Sequence, residues 1–138
     1  MNRIVKEGIL KCSFGNIAYK HWHAGANLPK LFFMHGWQDH LGVFEPIIDS
    51  LDGKYEVFAW DMPGHGKSHF PNWPWTYGHS EQPKQAFEVL KKLEWDEYSL
   101  VAHSWAANGM TPFVKMFPDQ VKNYIILDAY GNGYPLID

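Results

Sequence analysis

The sequence predicts an α/β fold: a mostly parallel sheet with helices on both faces and an antiparallel hairpin at its N-terminal edge. Three observations carry this prediction. Apolar runs bounded by turn residues recur at Leu31-Phe32-Phe33-Met34, Leu100-Val101-Ala102 and Tyr124-Ile125-Ile126-Leu127. Such runs read as strands buried on both faces. Stretches with helical spacing lie between them, and strands alternating with helices imply a parallel sheet covered on both sides. Two further strand-like segments, 3–10 and 16–22, follow each other across a short turn at Ser13-Phe14-Gly15-Asn16, which is the layout of a hairpin.

Taken in order, the hairpin leads through a Gly25-Ala26-Asn27-Leu28-Pro29 loop to a strand at 30–34. Phe44, Ile47, Ile48 and Leu51 then fall at i, i+3, i+4 and i+7, a helix stripe that faces a core, and Gly53 ends that helix. A strand at 55–60 follows. Residues 69–79 form a loop rich in proline and aromatic residues, placed either over the sheet edge or at a pocket mouth. Ser80 is read as an N-cap with Glu81 in the first turn, and Ala86, Leu90 and Leu93 give the buried stripe of a helix ending near 93. A strand at 98–102, a helix at about 105–117 and a strand at 122–128 complete the series. Pro112 inside that helix removes one ladder bond, and Pro118 lies just past its end.

Length and composition bound the function. One domain is the expectation for 138 residues, and 46% hydrophobic residues are enough to build a core. A net charge of −3 without a basic block leaves no electrostatic footprint for nucleic acid. Cys12 is the only cysteine, which excludes an intrachain disulfide. Charges interrupt Met1–Glu7 too early for a secretory signal, and no apolar run approaches the ~20 residues needed to span a bilayer. The expectation is a soluble, cytoplasmic protein that binds neither nucleic acid nor membrane.

Chemistry concentrates in three turns. Leu100-Val101-Ala102 passes abruptly through His103-Ser104-Trp105 into small residues that suit a closely packed helix. This is the layout of a nucleophile elbow, in which a serine sits on a sharp strand-to-helix turn with its hydroxyl exposed. The neighbours two before and two after must be small. Here they are Ala102 and Ala106 in place of the glycines of G-x-S-x-G, which makes the turn more crowded. A helix starting at Trp105 points its positive end at Ser104, and the Trp105 N–H is free to face a developing oxyanion. The alternative is a serine that caps an ordinary helix. After the strand at 30–34 comes His35-Gly36-Trp37-Gln38-Asp39, where Gly36 permits unusual dihedrals and the Trp37 N–H is a candidate second oxyanion donor. After the strand at 55–60 comes Asp61-Met62-Pro63-Gly64-His65-Gly66-Lys67-Ser68.

Together, the H-G-W-x-D turn, the D-x-P-G-H-G-x-S turn and the serine turn resemble the α/β-hydrolase superfamily, in order and in spacing. Within it the chain is similar to the serine hydrolase-like and mesoderm-specific-transcript-like esterases, from about residue 4 to about residue 130. The resemblance implies an α/β-hydrolase fold truncated after about strand six of the usual eight. Residues 1–138 would then be the N-terminal portion of one domain, without the lid and the C-terminal part. It implies Ser104 as nucleophile, Trp37 and Trp105 as oxyanion donors, and His35, Gly36 and His103 as the supporting turns. It also implies a general-base histidine after an eighth strand, whereas no histidine follows His103 here. Asp128, at the end of strand six, is either the acid of the site or a strand-end aspartate bonded to its loop. His35 is the nearest alternative base, and His65 is read as structural.

The implied reaction is acyl transfer on a small ester-type substrate without a cofactor. A chain lacking an activated base would retain trace activity at most. The rival reading is a non-catalytic, hydrolase-derived binding module, or half of a two-part assembly. The strand at 122–128 would become an unpaired edge, through which a homodimer or a complementing C-terminal fragment could pair.

Two other motifs dissolve on inspection. Gly66-Lys67-Ser68 ends like a P-loop, but that motif needs glycine at position 61, where Asp61 would repel phosphate. His21 and His23, or His35, Asp39 and His40, lack a recognised zinc spacing, and no metal is expected.

Overall fold

The computed structural model describes residues 3–25 and 27–129. Its strands are β1 (Ile4–Cys12), β2 (Gly15–His23), β3 (Lys30–Met34), β4 (Glu56–Trp60), β5 (Tyr98–His103) and β6 (Val121–Leu127). Its helices are α1 (Glu45–Ser50), entered through a 3₁₀ turn at Leu41–Phe44, α2 (Glu81–Leu93) and α3 (Trp105–Met116). The strands form one sheet in the order β1-β2-β4-β3-β5-β6. β1 pairs antiparallel with β2, and β2 antiparallel with β4. β4, β3, β5 and β6 are mutually parallel. The α/β architecture, the antiparallel hairpin at one edge and the parallel remainder agree with the sequence.

The continuous apolar runs are explained by burial on both faces. Phe32, Met34, Phe58, Trp60, Leu100 and Ala102 point to one side, where α2 contributes Ala86, Val89 and Leu90 and α3 contributes Ala106, Met110 and Phe113. The alternate residues Leu31, Phe33, Val57, Ala59 and Val101 point to the other side, under Leu41, Phe44 and Ile48. Alternation along each strand therefore feeds two cores rather than one core and solvent.

Three local expectations are corrected. The helix after β3 is shorter than its stripe implied. Phe44 belongs to the 3₁₀ turn, α1 begins with Pro46 in its first turn, and Ile47 faces solvent while Phe44 and Ile48 are buried. A 3₁₀ turn has a tighter period than an α-helix, so the α spacing does not carry across the junction. Ser80 occupies the N-cap position of α2 but makes no capping bond. Its φ of −67° and ψ of −18° are helical, whereas a capping side chain needs extended backbone to reach the free amides. The hairpin turn is Ser13-Phe14 alone, and Phe14 is buried between Trp60 and Trp75. The Glu88 carboxylate accepts from the Ser13 amide and hydroxyl and ties that tip to α2.

The segment 69–79 forms neither helix nor strand, as expected. It serves both candidate roles: Trp75 covers the hairpin tip, while Tyr77 reaches the turn after β3. Trp73 is 92% exposed. α3 runs through Pro112. β6 is the outer strand among the described residues, with Ile125 and Ile126 exposed. No helix among the described residues is long and apolar enough to cross a membrane.

Candidate active site

The turns after β3, β4 and β5 meet at the carboxyl end of the parallel strands, where open α/β sheets bind ligands. The turn after β4 is the scaffold. The Asp61 carboxylate accepts from the Leu41 amide at 2.7 Å and the Lys67 amide at 2.9 Å. The Ser68 hydroxyl donates to the Asp61 carbonyl at 2.5 Å and accepts from the Ala18 amide at 2.9 Å. Gly66 has φ +52°, and a Cβ there would run into the Asp61 carboxylate, so glycine is required. The Lys67 amide and the Ser68 hydroxyl are thus spent on Asp61, and the P-loop-like residues form no phosphate cradle.

The turn after β3 leans on this scaffold through His35, which is fully buried. The Met62 amide donates to His35 Nε2 at 2.9 Å, so the proton sits on Nδ1, which donates to the Gly36 carbonyl at 2.7 Å. Burial pushes the His35 pKa down to about 4, against a smaller opposing effect of that carbonyl. His35 is a neutral strut with both nitrogens engaged, which removes it as a candidate base. His65 likewise bonds its own turn through Nδ1 and the Pro63 carbonyl, 2.9 Å apart.

The turn after β5 places Ser104 at φ 50° and ψ −116°, between β5 and the first residue of α3. A non-glycine residue there costs about 1–3 kcal/mol and persists only when its surroundings hold it. The Ser104 amide donates to the Leu127 carbonyl at 2.9 Å. Ala102 and Ala106 are completely buried on either side of it. Ser104 makes no side-chain capping bond to α3, contrary to the helix-cap alternative. A Cβ on Gly36 would lie 3.2 Å from Ser104 Cβ and 3.0 Å from His103 Nδ1, so the turns after β3 and β5 touch through a residue without a side chain. Trp37 and Trp105 meet edge to face with centroids 5.0 Å apart.

The structure therefore brings together Ser104, His103, Gly36, Trp37 and Trp105, with His35 behind them. Asp128 lies one residue beyond Leu127, which pairs with His103. It is exposed at φ 46°, and neither a histidine partner nor a loop hydrogen bond is formed among the described residues. Sequence reasoning missed two neighbours. Asp39 Oδ2 lies 4.0 Å from His103 Nδ1, a buried nitrogen without a hydrogen bond. Tyr77 packs on Trp37 with centroids 5.8 Å apart. Asp39 sits in the H-G-W-x-D turn, so its place near the site could have been inferred. Nothing in the sequence ties Tyr77 to that turn.

Among the described residues, no group of three or more His, Cys, Asp or Glu converges as for a metal. His21 pairs with Glu56 at 2.8 Å, and His40 Nδ1 accepts the Gly42 amide at 3.1 Å. A cavity of about 370 Å³ opens beside the site, lined by Trp37, Gln38, Asp39, Gly64, His65, Gly66 and Tyr77. A wider one of about 730 Å³ lies between the hairpin and the turn after β4, and neither cavity is lined by His103, Ser104 or Trp105. Lys20 in the wider one binds Glu7 at 2.8 Å and Glu45 at 2.6 Å, whereas the smaller cavity is bordered by Trp37 and Asp39 of the turn after β3.

Comparisons with known proteins agree with this architecture. The chain is 29% identical over 132 residues to a serine hydrolase-like protein of Danio rerio, covering 95% of this chain and 40% of that protein. It is 30% identical over 128 residues to a serine hydrolase-like protein of Homo sapiens, covering 91% of this chain and 62% of that one. Among solved structures it is similar to an N-acyl homoserine lactonase complexed with N-hexanoyl homoserine. The TM-score is 0.80 at 23% identity over 91% of this chain and 46% of that one, a likeness of fold. The chain thus spans about two fifths to three fifths of the length of these curated relatives. A family model described as the alpha/beta hydrolase fold matches residues 29–138, and the chain belongs to that family.

Proposed function

We infer that this chain carries the nucleophile portion of an esterase-like serine hydrolase acting by acyl transfer. The observation that supports this most is the backbone of Ser104, held at φ 50° on a strand-to-helix turn with Gly36 against its Cβ. A serine without a chemical task gains nothing from that conformation, and the turn corresponds to a nucleophile elbow. Ser104 Oγ attacks a substrate carbonyl. The Trp37 and Trp105 amides, which have no acceptor among the described residues, stabilise the oxygen that becomes negative. The positive end of α3 adds to this. His35 and Gly36 hold the Trp37 turn. A general base is required to take the Ser104 proton, and no histidine follows His103 in the sequence. Without a base, the oxyanion donors and binding alone leave roughly 10³–10⁴-fold acceleration over water.

The test is a fluorophosphonate probe followed by mass spectrometry of the labelled peptide. Labelling at Ser104 that disappears in Ser104→Ala supports the reading. A folded protein that stays unlabelled at that residue sinks it.

A second reading is favoured by β6. Ile125 and Ile126 are exposed on the outermost strand among the described residues, and an edge strand with unpaired backbone groups invites another strand. In this reading the chain is a binding module or one half of an assembly, pairing through 122–128 with a second copy or a complementing C-terminal fragment. Sedimentation distinguishes the cases: a monomer with a sharp thermal transition excludes self-pairing.

A further inference from the structure

The smaller cavity, bordered by Trp37 and Asp39, has a composition that acyl transfer alone does not call for. Three of its walls are rings. Trp37 lies at 77° to His65 and 87° to Tyr77, and His65 lies at 77° to Tyr77. The three centroid separations are 5.3, 5.8 and 6.4 Å. All three rings line the same void. A cation in that void has aromatic rings among its walls, and such rings draw a cation over ~6 Å.

The charge at the cavity is one-sided. Asp39 is the one acidic residue lining it, and neither lysine nor arginine does. Asp39 Oδ1 accepts the His40 amide at 2.9 Å, which orients the carboxylate without neutralising it. His103 Nδ1, 4.0 Å from Oδ2, is its nearest partner of opposite type. Lys67, next in sequence to Gly66, lines the other cavity. Gly64 lets the Tyr77 ring pack directly against the turn after β4, because a Cβ there would collide with that ring. None of the seven lining residues has an aliphatic side chain, so the walls do not suit an acyl tail.

We propose that this cavity binds a quaternary or tertiary ammonium group, held over Trp37, His65 and Tyr77 with Asp39 as its counter-ion. The natural ligand is then a small cationic molecule. The extension to a substrate, an ester bearing such a group, rests on the Ser104 reading; the binding itself does not.

The test compares choline with 3,3-dimethylbutan-1-ol, its neutral isostere. Each is titrated into the folded chain by calorimetry and by saturation-transfer NMR. Choline binds in the millimolar range, and the isostere binds about fivefold more weakly or not at all. Asp39→Asn weakens choline about fivefold and leaves the isostere unchanged. Trp37→Ala, at a half-exposed ring, abolishes choline binding in a protein whose circular dichroism shows it still folded. Equal affinity for the two ligands, no binding of either, or unchanged choline affinity in Asp39→Asn each overturns the proposal. Choline binding without fluorophosphonate labelling keeps the cation site and removes the Ser104 reading, and labelling without choline binding does the reverse.

Discussion

Ser68 and Ser104 leave the same end of the sheet and are held in opposite ways. The Ser68 hydroxyl both donates and accepts, and it belongs to a turn in which the Asp61 carboxylate, the Lys67 and Leu41 amides and the Ala18 amide are all engaged. Among the described residues the Ser104 hydroxyl makes no hydrogen bond, its backbone is strained, and the buried His103 Nδ1 has no hydrogen-bond partner. A turn whose polar groups are all satisfied is building the molecule. A turn that leaves them open is available for something else. The difference separates the two turns where exposure does not, since both serines are partly buried.

The comparison can be broken most severely at Asp61. Asp61→Ala leaves the buried Leu41 amide and the part-buried Lys67 amide without acceptors and is expected to cost about 3 kcal/mol in urea denaturation. A loss below about 1 kcal/mol would mean that the scaffold turn is no scaffold. The next effect is one of pH. His35 is neutral when folded with a pKa of about 4, and 6.5 is the ordinary value. Below pH 6.5 the unfolded chain takes up a proton that the folded chain refuses. Stability therefore falls as pH drops from about 6.5 to about 4, by about 3 kcal/mol in total. His35→Gln flattens that slope.

The two serines give the sharper pair. Ser68→Ala is expected to cost about 2 kcal/mol, since one hydroxyl serves two backbone groups. Ser104→Ala changes stability by less than about 0.5 kcal/mol. Ser104→Gly gains about 1 kcal/mol by relieving the positive φ, while abolishing probe labelling. A Ser104→Gly protein less stable than wild type would mean that the hydroxyl has a structural partner after all.

Much of the fold was legible because the sheet is covered on both sides. β3 and β5 announce themselves as uninterrupted apolar runs, and their bounds follow. What was not legible depends on exact backbone geometry or on contacts distant in sequence. Ile47 turned outward because Pro46 and the 3₁₀ turn before it reset the phase. Ser80 failed as a cap because its own backbone is already helical. At the site, the three turns were readable from residue type, because a crowded strand-to-helix turn demands alanine or glycine around its serine. Tyr77 was not readable, since its approach to Trp37 depends on how an irregular loop folds back over the hairpin tip. His35 was ambiguous until the Met62 amide showed which nitrogen carries the proton.

The Ser104 amide is tied to the Leu127 carbonyl, on the outermost described strand. Fraying of that rim would slacken the bend that carries the hydroxyl, and any clamp on the rim would stiffen it. Whatever docks alongside Tyr124–Leu127 would thus set the stiffness of that bend from outside it.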